Sequence, residues 1–122
     1  PGRICLVTDA MSTIGTDDDG FELNGRRVYR NGGRLTLEDG SLAGADIDML
    51  SCVRFMHEKM GTPLEEALRM ASAYPAAAIG VSHKGKLLPG FDADFVMLTS
   101  DLQMHSTWIA GEKIFDAART GA

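Results

Sequence analysis

Asn24-Gly25 constrains the fold more than any other step in the chain. An Asn-Gly pair between strand-like segments favours a type I′ turn, because both central residues need positive φ and these two tolerate it. A two-residue loop then leaves one register, with Leu23 opposite Arg26, Glu22 opposite Arg27 and Phe21 opposite Val28. That register sets Glu22 and Arg27 together on one face and Phe21 and Val28 on the other, so charge and hydrophobicity agree with the turn. Asn31-Gly32-Gly33 predicts a second turn, Arg34 to Leu37 a third short strand, and Asp39-Gly40 its end.

The rest of the chain is read outward from this hairpin. Ile4 to Val7 is a continuous apolar run with two β-branched residues, as expected of a parallel strand buried on both faces. It ends in Thr8-Asp9, an acid where burial should be costly. Partners for such a strand are not evident, and its unpaired edges predict self-association into a homo-oligomer or local rearrangement. Residues 11–20 read as a polar loop, and Gly40 to Gly44 as a small-residue connection. Asp46 is expected to cap a helix carrying Ile47, Leu50, Val53 and Met56 and closed by Gly61. Thr62-Pro63-Leu64-Glu65 predicts a capping-box helix start with proline at its first position and a stripe of Leu64, Ala67, Leu68 and Ala71. Pro75 breaks or restarts that helix, and Gly80 ends it. Beyond residues 80–85 the texture changes to strands: Phe95 to Leu98, then a hairpin of Thr107 to Ala110 and Lys113 to Phe115.

Composition excludes several classes of protein. With 122 residues, 44% hydrophobic and 24% charged, the chain suits one ordinary globular domain. The net charge of −5, with no cluster of Lys and Arg, argues against a nucleic-acid surface. Cys5 and Cys52 form no CxxC pair and read as reduced, buried thiols of a cytoplasmic protein. No stretch approaches the roughly 18 consecutive apolar residues of a membrane span. No signal peptide is expected at Pro1-Gly2-Arg3, since no apolar h-region and cleavage site follow. A chain that enters a strand almost at once, without an initiator Met, is expected to be cut from something longer.

Three motifs tempt and fail. Gly80 to Lys86 matches GxxxxGK, but Leu87 replaces the metal-binding Ser or Thr and Pro89-Gly90 forbids the required helix. Asp17-Asp18-Asp19-Gly20 lacks the flanking ligands of a calcium loop and reads as a solvated tip. His57, expected on an exposed helical face, and His83 and His105, expected in turns, have no metal-ligand spacing. No metal site is expected from this chain's own residues.

Asp9 remains. By position it is either a turn former after a strand or an acid at the C-terminal end of a parallel strand, where TIM barrels keep their catalytic groups. Leu6-Val7-Thr8-Asp9-Ala10-Met11 with Gly15 resembles the eighth-strand motif of N-acetylglucosamine-6-phosphate deacetylases, within the amidohydrolase superfamily. Val28 to Gly32, Asp39 to Gly44, Leu64 to Ser72 with Tyr74-Pro75-Ala76, and the tail Lys84 to Asp94 resemble successive segments of the same family.

The resemblance implies an α/β fold: the C-terminal third of a metal-dependent-hydrolase TIM barrel with part of a small β-sandwich. Residues 1–80 would hold the last strand, a hairpin insertion at about 20–38 and the final helices. Residues 81–122 would hold C-terminal strands of the sandwich. It further implies that Asp9 is the catalytic proton acceptor and donor, and that Leu42, Ala43 and Gly44 approach the sugar. The complete enzyme would use a divalent metal, zinc or similar, to activate water, with no metal expected on this fragment, which alone should not hydrolyse substrate. Its partner would be a phosphorylated amino sugar, in a cytoplasmic setting. Two other readings stand: a dihydroorotase- or deaminase-like relative sharing the tail, which would not be expected to share the Asn24-Gly25 hairpin, and a non-catalytic interaction module.

Overall fold

The structure is a computed structural model that describes residues 4–120; Pro1-Gly2-Arg3, where no signal peptide is expected, lie outside them. The chain divides into two compact units, one spanning Val7–Cys52, the other taking the segment before Val7 and everything from Val53 onward.

In the first unit, β1 (Gly20–Leu23), β2 (Arg26–Asn31), β3 (Arg34–Leu37) and β4 (Leu42–Ala45) form an antiparallel sheet in sequence order. The β1–β2 register is the one the turn dictates, Leu23 opposite Arg26, Glu22 opposite Arg27 and Phe21 opposite Val28. Asn24 and Gly25 have φ of 50° and 74°, and Gly32 and Gly33 have 57° and 77°, so both hairpins close through pairs of left-handed residues. Val28 pairs with Leu37 and Arg30 with Leu35, which places all four on one face. Val28 and Leu35 are completely buried there.

Arg30 shares that inward face with these apolar groups. Its Nε donates to the Asp46 carboxylate at 2.8 Å, and its Nη1 donates to the Thr16 carbonyl at 2.7 Å. Its backbone amide donates to the Asp19 carbonyl at 2.7 Å. The acidic tip is thus tied to β2, and Arg27 adds an ion pair to Asp19 at 3.0 Å. The tip is exposed, as expected.

Two expectations change in this unit. The small-residue connection is partly a strand: β4 pairs with β3 through Arg34–Ala45 and Thr36–Leu42, with a register irregularity between them. Asp46 does not cap the following helix. Its carboxylate is held by Arg30, sixteen residues away in sequence, and α1 (Met49–Glu58) starts later. Asp48 caps it, its Oδ1 accepting from the Ser51 amide at 2.7 Å. Ile47 therefore lies outside the helix and is exposed.

The second unit contains α2 (Leu64–Ala71), α3 (Ala73–Ala78), β5 (Phe95–Leu98), β6 (Met104–Ile109), β7 (Glu112–Asp116) and the short α4 (Ala117–Thr120). The N-cap of α2 is Pro63, with extended ψ of 138° and no side-chain hydrogen bond, so the expected capping box does not form and proline precedes the first turn. The buried residues of α2 are Ala67 and Met70, while Leu68 is exposed; the stripe is rotated from the expected one. β5, β6 and β7 form an antiparallel sheet in that order, and Ala110-Gly111, with φ of 52° and 79°, closes its second hairpin. Phe95 stacks on its cross-strand partner Trp108 with centroids 5.4 Å apart.

The expected strand at residues 4–7 is absent. Leu6 donates one backbone hydrogen bond to Met70 at 2.9 Å, and Ile4 and Val7 are exposed. A parallel strand needs neighbours on both sides to satisfy its amides and carbonyls. Among the described residues the segment finds a single such bond, so it stays irregular. Cys5 and Cys52 are free but only half-buried, not buried as expected. Partial burial and then the Asp48 carboxylate push the Cys52 thiol up from its ordinary value.

Candidate functional site

Asp9 is exposed and its backbone is left-handed, with φ of 54°. Asp and Asn enter this region more readily than other non-glycine residues, but the conformation still needs fixing by its surroundings. Three contacts fix it. The Ala45 amide donates to the Asp9 carbonyl at 2.9 Å. Ala10 forms a parallel bridge with Ala45. The Ala10 amide donates to Thr8 Oγ1 at 3.1 Å, a local turn with the acid at its centre.

β4 therefore lies directly against Asp9. Gly44 has φ of 104°, and a Cβ added there would run into Met11 Cγ and Sδ and come within 3.3 Å of the Asp9 carbonyl oxygen. Leu42 and Ala43 precede it on the same strand, Leu42 exposed and Ala43 half-buried. The structure thus brings Asp9 and the Leu42-Ala43-Gly44 segment, separated by more than thirty residues in sequence, to one strand junction. Thr8, Met11 and Ala45 belong to the same junction; Thr8 and Met11 stood out only as members of the motif around Asp9, Ala45 had no signal, and the positive φ of Gly44 was only latent in a run of small residues.

Among the described residues the Asp9 carboxylate has no hydrogen-bond or ion-pair partner. Its main chain is held and its side chain is not spent. Such an arrangement can present a carboxylate to a bound molecule in a set direction and accept or return a proton.

The other expected features are elsewhere. His57 is exposed on α1, its Nδ1 2.9 Å from the Thr62 carbonyl oxygen. His83 is exposed, with Nε2 3.6 Å from Asp92. His105 lies on β6 rather than in a turn. Among the described residues no group of three or more His, Cys, Asp or Glu could hold a metal ion. The residues present do not fit the divalent metal that the resemblance implies, and no chemistry is assigned to it in this chain. The GxxxxGK stretch leads into a turn at Pro89-Gly90, and the Lys84 ammonium is engaged by Asp92 at 2.8 Å and Asp94 at 2.5 Å. It presents no phosphate cradle at a helix start. No helix among the described residues is long and apolar enough to cross a membrane.

Residues 3–114 match the model of the amidohydrolase family, and the chain belongs to that family. It is 39% identical over 115 residues to an N-acetylgalactosamine-6-phosphate deacetylase from Shewanella sp. (strain ANA-3), covering 94% of this chain and 29% of that one. It is 36% identical to an N-acetylglucosamine-6-phosphate deacetylase from Vibrio furnissii, covering 95% of this chain and 29% of that protein. The fold of the crystal structure of N-acetylglucosamine-6-phosphate deacetylase from Pasteurella multocida superposes with a TM-score of 0.84 at 39% identity, over 89% of this chain and 29% of that one. The chain is an α/β segment that spans less than a third of the length of these relatives.

Proposed function

We propose that this chain is part of an amidohydrolase that removes the acetyl group from N-acetylglucosamine 6-phosphate, giving glucosamine 6-phosphate and acetate, and that Asp9 is its proton-transfer residue. The carrying observation is the junction at β4: a carboxylate with no partner among the described residues, on a main chain clamped by Ala45 and turned by Thr8. The similarity to deacetylases of two N-acetylhexosamine 6-phosphates supports the substrate class.

In this reading Asp9 takes a proton from water as the water oxygen adds to the acetamide carbonyl carbon. The proton then goes to the amine nitrogen as the carbon–nitrogen bond breaks and the Asp9 carboxylate is regenerated; the second proton of the water passes from the acetic acid to the amine, so the products are acetate and the ammonium form of the sugar. General acid–base help of this kind contributes about 10²–10⁴-fold in rate. Leu42, Ala43 and Gly44 lie beside the sugar, offering an apolar wall and backbone groups. Residues 1–80 form the end of a TIM barrel with its hairpin insertion, and residues 81–122 belong to a small β-sandwich. The intact enzyme is a cytoplasmic homo-oligomer whose divalent metal takes its ligands from outside this chain.

A second substrate is favoured by one observation: the Shewanella relative, at 39% identity, carries the galactosamine name. The test is an assay of the intact enzyme on both C4 epimers and on a cyclic ureide. Acetate release from the glucosamine epimer is expected. Preference for the galactosamine epimer moves the substrate, and turnover of the ureide alone overturns the deacetylase. The 122-residue chain with added zinc is expected to show no turnover.

A further inference from the structure

We propose that Gly44 is a positioning residue for Asp9, rather than only a contact for the sugar. The inference rests on the reading of Asp9 as the proton-transfer group.

Two left-handed residues meet at this junction, Asp9 at φ 54° and Gly44 at φ 104°. Between them runs one hydrogen bond, from the Ala45 amide to the Asp9 carbonyl. For that bond to form, β4 must pass close to the chain leaving Asp9. Met11 occupies the space where a side chain at position 44 would go, and the Asp9 carbonyl oxygen is the next neighbour. Glycine therefore answers two needs at once: a φ that L side chains rarely adopt, and a close approach that a Cβ would obstruct. Nothing else in the described residues grips the Asp9 carbonyl. Its direction, and hence the direction of the carboxylate, depends on how closely β4 can approach.

An alanine at 44 has to displace Met11 and strain its own backbone. β4 moves off, the Ala45–Asp9 bond lengthens, and Asp9 is released from its left-handed conformation. The carboxylate remains in the protein but samples several directions. Misplacement by about 1 Å can cost on the order of 10²-fold in rate.

The experiment uses Gly44→Ala and the double variant Gly44→Ala/Met11→Ala in the intact enzyme, with Asp9→Asn as reference. Gly44→Ala is expected to lower kcat by roughly 10–100-fold with KM changed less than about threefold, a loss carried by transition-state positioning. Removing the Met11 side chain restores room for a Cβ and is expected to recover part of that loss. Hydrogen exchange at the Ala45 amide, which needs no activity, is expected to be slow in the parent, fast in Gly44→Ala and intermediate in the double variant. A raised KM with kcat unchanged, or an Ala45 amide equally protected in all three, overturns the positioning role. Near-normal kcat in Asp9→Asn overturns the assignment of Asp9 itself, and that outcome is separate because exchange at Ala45 would still report the junction.

Discussion

Asp9 and Asp94 occupy matching places, each a carboxylate one residue before a paired strand position, and their surroundings are opposite. Asp94, just ahead of β5, accepts from Lys84 Nζ at 2.5 Å and from the Ala110 amide at 2.9 Å. The hydrogen bond from Lys84, then that from Ala110, holds its pKa below the ordinary 3.8. Asp9 has its main chain held and its carboxylate free among the described residues. The two sheets repeat the contrast. The β1–β4 sheet buries Val28 and Leu35 completely, whereas β5–β7 leaves Val96, Met97, Ile109 and Ile114 exposed. A carboxylate bonded at both oxygens is spent on holding its hairpin and loop together. One anchored only through its backbone is available to a ligand.

The sharpest way to break this comparison is to exchange the chemistry at Asp9. Asp9→Asn in the intact enzyme should lower kcat by about 10²-fold or more, with folding unchanged. A near-normal kcat in steady-state assays would falsify the contrast at its functional end. Next comes the buried sheet. Leu35→Ala should cost about 2–5 kcal/mol in urea unfolding, the usual range for emptying a closed core site.

The clasp at Asp94 should show itself through pH. The Lys84 pKa is pushed from 10.5 to about 12 by its bonds to Asp92 and Asp94, so its contribution is complete below 10.5 and lost as pH rises through about 12. Asp94 is shifted the other way, so its share is complete above 3.8 and lost as pH falls through its lower folded value. Lys84→Met should therefore lower Tm by a few degrees between pH 3.8 and 10.5, the difference fading as pH rises through about 12 or falls through the lower folded value of Asp94. Both groups are partly exposed, and added salt should shrink the difference. The smallest effect belongs to the open sheet: Ile114→Ser should change stability by less than about 0.5 kcal/mol.

Legibility followed the range of the forces involved. The Asn24-Gly25 turn is local, and it carried the register of the whole first hairpin. β5 was readable for a similar reason, since an apolar run bounded by a polar turn needs little else. The segment at residues 4–7 misled because a strand is defined by partners, and composition says nothing about whether they are present. Asp46 misled because its partner, Arg30, lies far off in sequence and outcompetes the cap; Asp48, two residues on, takes that place. At the candidate site, Asp9 stood out as an acid closing an apolar run. Its nearness to Leu42, Ala43 and Gly44 depended on β4, whose small residues carry almost no strand signal.

The left-handed backbone at Asp9 also limits which acid the position can accept. Asn24, at φ 50°, shows the same region occupied by the amide analogue elsewhere in the chain. Asp and Asn settle there more readily than glutamate, and Leu102 at φ 59° and Ala110 at φ 52° show that other side chains enter it at a backbone cost. A glutamate at position 9 would have to reshape the junction before its oxygens could reach the same point. The reactive group is thus selected by the main chain as well as by acidity, and a drift from aspartate to glutamate, mild on most surfaces, carries a backbone cost here.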